Sequence, residues 1–331
     1  MATTMLPPAE ALPDVLPTDR LLVSGKPVPP IRTELRRISV VRNAITVVVL
    51  WAELVALCVL GVWLHNPFAW VAVFLVMGSM HARFAILGHE AAHRLLFPNK
   101  KVNDFVGRWL LDYPAFVPFD LYRRAHFAHH KEEFGPNEPD LNLYNGYPIT
   151  KASMRRKLVR DGRGSSGWKS LKSLLLGLKS KLGRPVAARI IATQLVMLLV
   201  CAAFGRPELY LLWIGSWMTV WRVINRLRAI AEHGGMTQSH DRRLTTHHVE
   251  QHWIARFWIV PYNTGWHLAH HVDMGVPWRN LPALHKELVD SGWVTPALTY
   301  PSYLALWRKL ASRTDQPAAA TTSVDQDPAA L

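Results

Sequence analysis

Two cysteines in 331 residues, Cys58 and Cys201, are too few for a disulfide scaffold or a cysteine-held zinc site. Both fall inside apolar runs and read as reduced packing residues. There is no cytochrome b5-type haem motif, no cysteine cluster and no flavin site of the GxGxxG kind. Any electrons the chain uses therefore come from outside it. Acid is also scarce: 24 Asp and Glu against 38 Lys and Arg leave a formal charge of +14. With no nucleic-acid motif in view, that excess reads as cytoplasmic loops facing anionic lipid headgroups, and no nucleic-acid partner is expected.

Long, nearly uncharged apolar runs are what the chain has instead, in a composition that is 50% hydrophobic with 14 Trp. Residues 1–30, rich in Pro and small side chains, lack a signal-peptide core and read as a disordered tail. Arg32, Arg36, Arg37 and Arg42 then precede the first apolar run, which places that end on the cytoplasmic side. Ala44–Leu64 is the first expected span, with Glu53 near its middle facing another helix or protonated. His65-Asn-Pro-Phe68 is a short outside turn. The second span runs from Phe68 to Met80, and its helical pattern continues past His81 and Arg83 to His93. Residues 94–188 hold nearly half of the Lys and Arg. Within them Trp109–Leu121 reads as a re-entrant or interfacial segment, and Trp168–Leu182 as a basic amphipathic helix on the headgroups. Residues 190–204 and Leu209–Ile224 are spans three and four, joined by Gly205-Arg-Pro-Glu208, and the fourth continues toward His233. The tail from Ala311 reads as disordered. The fold class is all-α and multi-pass, with four transmembrane helices under a cytoplasmic helical cap. The expected organisation is 1–30 tail, 31–310 membrane domain and 311–331 tail, with both termini cytoplasmic.

Histidine carries the chemistry. His126-Phe-Ala-His129-His130 recurs as His267-Leu-Ala-His270-His271, and His89-Glu-Ala-Ala-His93 adds a pair at i, i+4. Positions i, i+3 and i+4 share a helix face, so each pentapeptide is expected to aim three imidazoles at one point. Eight imidazoles exceed what one tetrahedral metal takes, which suggests two metals. Zinc takes four ligands and has no redox chemistry, and copper often uses smaller histidine sets. Two irons with four or five imidazoles each match the count. Iron beside a membrane suggests O2-dependent oxidation of a C–H bond in an apolar substrate. His89-Glu90-Ala-Ala-His93 is also literally HExxH, the signature of a zinc metalloprotease with Glu90 as base. Two further histidine boxes are surplus to a protease. Asp120, Glu132, Glu232 and Asp273 are near enough in sequence to orient ligand imidazoles. His81, His240, His247, His248 and His252 default to structural or surface roles.

HEAAH, YRRAHFAHH and NTGWHLAHH resemble the three histidine boxes of the membrane fatty acid desaturase and hydroxylase superfamily, over roughly residues 40–300. Tyr122 and Arg124 before the second box look nearer to acyl-lipid desaturases than to the acyl-CoA type. The resemblance implies a diiron centre on four spans, with ligands at His89, His93, His126, His129, His130, His267, His270 and His271. A ninth ligand is implied at His233, in the extension of the fourth span. Where the acyl-CoA branch has Asn four residues before that histidine this chain has Ala229, so that contact is absent, and Asn263, four residues before His267, is a candidate for a supporting role. The implied activity is desaturation of an acyl chain, with O2 as co-substrate and a ferredoxin, rubredoxin or cytochrome b5-type donor with its reductase. Hydroxylation or ketolation of a lipid or other apolar metabolite is the alternative within the superfamily.

Overall fold

The computed structural model describes residues 5–13 and 18–314. It is mostly helical, and its described β structure is slight: a two-residue parallel pair, β1 (His248–Val249) on β2 (Thr299–Tyr300), and one isolated bridge. After the short α1 (Pro29–Leu35) come α2 (Val40–Leu64) and α3 (Pro67–Ala92). Asn66 starts α3 by accepting the Ala69 N–H at 2.8 Å, with Pro67 in the first position, where its missing N–H costs nothing. At about 1.5 Å per residue each helix exceeds the roughly 30 Å of hydrocarbon in a bilayer. Along α2, Val41, Ile45, Val48, Val55, Val59 and Trp63 are exposed, whereas Val47, Leu50 and Leu54 are buried. A stripe of bare apolar side chains opposite a packed one is what lipid contact requires. Glu53 on α2 is paired with Arg83 on α3 at 2.8 Å.

Three helices are long and apolar enough to cross a membrane: the N-terminal one ending at Leu64, α3, and α9 (Arg184–Ala203). The fourth expected span is broken. It forms as α10 (Pro207–Met218) and α11 (Val220–His233), interrupted at Thr219. There the Thr219 hydroxyl donates to the Gly215 carbonyl at 2.7 Å, competing for the acceptor at the end of α10. Beyond the break α11 presses against α3 so closely that a Cβ on Gly78 would lie 2.2 Å from Val220 Cγ1. Glycine is needed there for the approach.

The segment expected to be re-entrant follows α4 (Lys100–Phe105) as a π-helical stretch, Val106–Asp112, and a turn before α5 (Phe119–Glu132). Its free carbonyls are answered by side chains. Trp51 donates to Leu110 at 2.9 Å, Gln194 to Tyr113 at 2.7 Å and Trp213 to Pro114 at 3.0 Å. Irregular backbone among membrane helices is tolerated only with such partners.

The short α6 (Leu141–Tyr144) is followed by α7 (Lys151–Gly162) and α8 (Ser165–Gly177). The amphipathic helix expected over Trp168–Leu182 thus ends at Gly177, and Trp168, Leu175 and Leu176 on it are exposed. Gly162-Arg-Gly-Ser-Ser-Gly167 does spell GxGxxG, yet it joins two helices with no strand before it, so it lacks the setting of a dinucleotide site.

The later helices are α12 (Trp253–Trp258), α13 (His267–Val272), α14 (Leu281–Asp290) and α15 (Tyr303–Leu310). The described part of the N-terminal stretch is no free tail. Met5, Ala11 and Leu21 are buried, Leu21 bridges Pro27, and Arg20 meets Glu287 of α14 at 2.6 Å. Spaced apolar anchors in a proline-stiffened strap suffice to dock it, which average composition hides. At the other end Arg313 N–H still reaches the Ile149 carbonyl at 3.2 Å, while residues 315–331 lie outside the described residues.

Candidate metal centre

Four helices bring the histidines together: α3 and its C-cap supply His89 and His93, α5 supplies His126, His129 and His130, α11 supplies His233, and α13 supplies His267, His270 and His271. The nine fall into two neighbouring sets. His89, His93, His126, His130 and His270 place one ring nitrogen each within 4.8 Å of one another. His129, His233 and His271 do the same. His267 joins this second set, its Nε2 lying 3.1 Å from His233 Nε2 and 3.0 Å from His271 Nε2. The sets adjoin, with the His130 and His271 ring centroids 4.4 Å apart.

This corrects the expectation that each pentapeptide addresses one point. In both boxes the i, i+4 pair enters one set and the i+3 histidine enters the other. His126 and His130 face the first set and His129 the second; His267 and His271 face the second set and His270 the first. Adjacent positions on a helix differ by about 100°, so the histidines at i+3 and i+4 straddle a face. Each box thereby braces both sets at once.

The donor chemistry fits metal ions. Nε2 of His126 is 2.9 Å from Nε2 of His93 and 3.0 Å from Nε2 of His130. One proton cannot satisfy three such nitrogens, whereas ligands about 2.1 Å from a common ion stand roughly 3 Å apart. The far sides of the rings fix the tautomer: His271 Nδ1 meets Glu133 at 2.5 Å, His129 Nδ1 meets Glu138 at 3.0 Å, and His233 Nδ1 donates to the Thr245 carbonyl at 2.8 Å. An N–H committed at Nδ1 leaves the Nε2 lone pair for a metal. Burial, reinforced by the neighbouring imidazoles, holds His126, His130, His267, His270 and His271 well below the ordinary histidine range, in the neutral form that ligates. His129 alone is moved upward: burial opposes its charge, but the hydrogen bond and charge of Glu138 prevail.

The supporting carboxylates differ from those sequence proximity suggested. Of the four candidates only Glu232 nears a ligand, 3.6 Å from His267 Nδ1. Asp120 pairs with Arg108 at 2.7 Å, Asp273 with Arg32 and Arg36, and Glu132 lies 3.8 Å from Lys131. Glu133 and Glu138 do the work instead, and Arg242 steadies Glu133 at 2.6 Å. Neither has a periodicity that would have singled it out, since the chain turns sharply between them. Asn263 bonds Arg256 and the Trp278 carbonyl. His81 is fully buried and reaches the Trp213 carbonyl at 3.0 Å, His247 reaches Gly234, His248 stacks on His285, and His252 meets the Pro301 carbonyl. Glu90 is buried, with one oxygen accepting the Trp278 N–H at 3.2 Å and the other 3.6 Å from His89 Nδ1. It braces the ligand helix, an arrangement unlike a base directed at a metal-bound water.

Nine imidazoles in two adjoining sets, eight of them buried and His93 half-buried, set among helices fit to cross a membrane, mark a membrane-associated protein with a histidine-rich candidate metal centre. Residues 64–308 match the fatty acid desaturase family, and the chain belongs to it. It is 25% identical over 256 residues to the chloroplastic omega-6 fatty acid desaturase of Glycine max, covering 69% of this chain and 57% of that protein. The chain thus spans little more than half of that relative's length. It is 23% identical over 265 residues to the dihydrorhizobitoxine desaturase of Bradyrhizobium elkanii, covering 74% of this chain and 75% of that one. Over a shorter stretch of 131 residues it is 30% identical to the zeaxanthin 4-ketolase of Chlamydomonas reinhardtii, 35% of this chain and 28% of that one. Family membership leaves the HExxH metalloprotease reading without support.

Proposed function

We propose that the chain is a membrane-bound, O2-dependent diiron oxidoreductase that introduces a C=C bond into an acyl chain. The carrying observation is the convergence of nine imidazoles into adjoining sets of five and four. One iron would be held by His89, His93, His126, His130 and His270, and the other by His129, His233, His267 and His271. So many nitrogen donors exceed zinc's four, and bound iron would supply one-electron and O2 chemistry. The protein's share is to keep the Nε2 lone pairs free, to direct the Nδ1 protons onto Glu133, Glu138 and the Thr245 carbonyl, and to exclude bulk water by burial. A chamber of about 240 Å3 beside the second set, lined in part by Tyr122, Tyr144, His129 and His233, would receive the reacting segment. Registering that segment against the metals is where small displacements are costly.

In this reading α2, α3, α9 and the broken α10–α11 pair are four spans with both termini and the centre on the cytoplasmic side, as the arginines before α2 suggest. Electrons would come from a separate ferredoxin, rubredoxin or cytochrome b5-type donor, with the basic surface suited to an acidic partner. The stretch shared with the Chlamydomonas ketolase supports a second reading, oxygen insertion in place of hydrogen loss. Purified protein should hold two irons per chain. Mass spectrometry of extracts from cells with and without it, grown in air, should show a product 2 Da lighter for desaturation or 16 Da heavier for hydroxylation, the ordinary masses of two hydrogens and one oxygen. Stoichiometric zinc without iron, or no air-dependent product, refutes both readings.

A further inference from the structure

Arg222 lies where two cavities meet. One is the chamber beside the histidines, lined also by Asp140, Asn225, Arg228 and Glu232. The other is a groove of about 420 Å3 with Phe116, Leu121, Leu174, Val186 and Trp217 on its walls. Val117, Trp221 and Arg222 belong to both. The guanidinium carbon is 4.0 Å from the Trp217 ring centroid, which fixes its plane. Its Nε and Nη2 are buried and have no acceptor among the described residues. The neighbouring cations are already matched: Arg226 with Asp161, and Arg228 with Glu232 at 2.8 Å. The charge of Asp161 reaches Arg222, but its carboxylate is bonded to Arg226 instead. A guanidinium taken from water with no hydrogen-bonded counter-charge is costly, and such groups mark functional sites among membrane helices.

We propose that Arg222 binds the anionic head group of an aliphatic substrate whose chain runs along α11 to the metal centre. Arg222, Asn225, Ala229, Glu232 and His233 recur at helical spacing and all line the chamber, so one face of α11 carries the anion site at one end and a metal ligand at the other. His233 follows Arg222 by eleven positions, about 16 Å of helix axis. That distance limits how far from the head group the reacting carbon lies, to roughly a dozen bonds. The planar fork of a guanidinium accepts a carboxylate or a phosphate bidentately, so a free acid and an anionic lipid headgroup share the chemistry. The site deepens the desaturase reading, on which only the identity of the carbon attacked depends.

The full chain, purified with its iron in neutral detergent, is titrated with dodecanoate, dodecyl phosphate, lauroyl lysophosphatidylglycerol and methyl dodecanoate. At least one anionic probe should bind tenfold or more tightly than the methyl ester. Preference for dodecanoate assigns a free acid, and preference for the lysolipid assigns a headgroup. Arg222→Gln should abolish the preference while leaving ester binding and iron content unchanged, and Arg222→Lys should reduce it several-fold through loss of the bidentate fork. Equal affinity of ester and anions in the wild type overturns the proposal, as does a preference that survives Arg222→Gln. Should Arg222→Gln fail to fold, an unchanged preference in Arg222→Lys overturns it instead. Binding needs no turnover, so anion preference in a protein without air-dependent product would sink the oxidase reading alone, and product without anion preference would sink this site alone.

Discussion

In the set of four imidazoles, three rings are tied at Nδ1 to an acceptor: His129 to Glu138, His233 to the Thr245 carbonyl, and His271 to Glu133. In the set of five, Nδ1 of His89 and of His270 are buried with no hydrogen-bond partner among the described residues. Those five are positioned by ring against ring, as in His89 and His93 at 4.7 Å or His130 and His270 at 4.8 Å between centroids. One set is oriented by fixed acceptors, two carboxylates and a backbone carbonyl. The other is held by ring packing. Identical ligands therefore need not give equal sites, because what stands behind each imidazole sets its tautomer and basicity.

Removing a ligand outright tests this most severely. His126→Ala in the first set and His271→Ala in the second should each reduce product below detection and release one ion per chain, read by metal analysis of purified protein. Retention of both ions in either variant would break the division into two sets. A smaller effect is expected one layer out. Glu133→Gln and Glu138→Gln should weaken metal binding about ten- to hundredfold by chelator competition, affecting one of the two ions first. Glu90→Gln should cost less than either, since its nearer oxygen stands 3.6 Å from His89 Nδ1. Equal damage from Glu90→Gln would erase the contrast between a braced and an unbraced set.

Away from the centre the effects shrink to stability. Asn66→Ala removes the side-chain cap of α3 and should lower unfolding stability by about 1 kcal/mol, with iron content unchanged. The smallest effect concerns Arg20 and Glu287. The Arg20 hydrogen bond and charge hold the Glu287 carboxyl below its ordinary range. The pair's contribution is thus present above the ordinary carboxylate pKa and lost as pH falls through the lowered one. Proteolysis of the N-terminal strap should rise over that acidic window in the wild type and show no such step in Glu287→Gln.

The histidine boxes were legible in sequence because i, i+3 and i+4 neighbours are local, and the apolar runs because a bilayer imposes a length. Where reading along the chain went astray, distance along it was the reason. Glu133 and Glu138 lie just past α5, beyond any helical register with the ligands they orient. Arg222 resembled a span-end arginine until Trp217 and the two cavities surrounded it. Thr219 gave no warning of the break between α10 and α11, since a threonine bonding back to the carbonyl four residues earlier is also found in unbroken helices.

By itself the sequence determined the ligand inventory, the helical character and the membrane setting, since each follows from spacing or composition within one stretch of chain. Only the tertiary structure decided that each box divides its histidines between two sets, which carboxylates stand behind them, and that the N-terminal strap docks on α14. Those outcomes depend on which faces of distant helices meet, and an angle between helices is set by packing that no local pattern records.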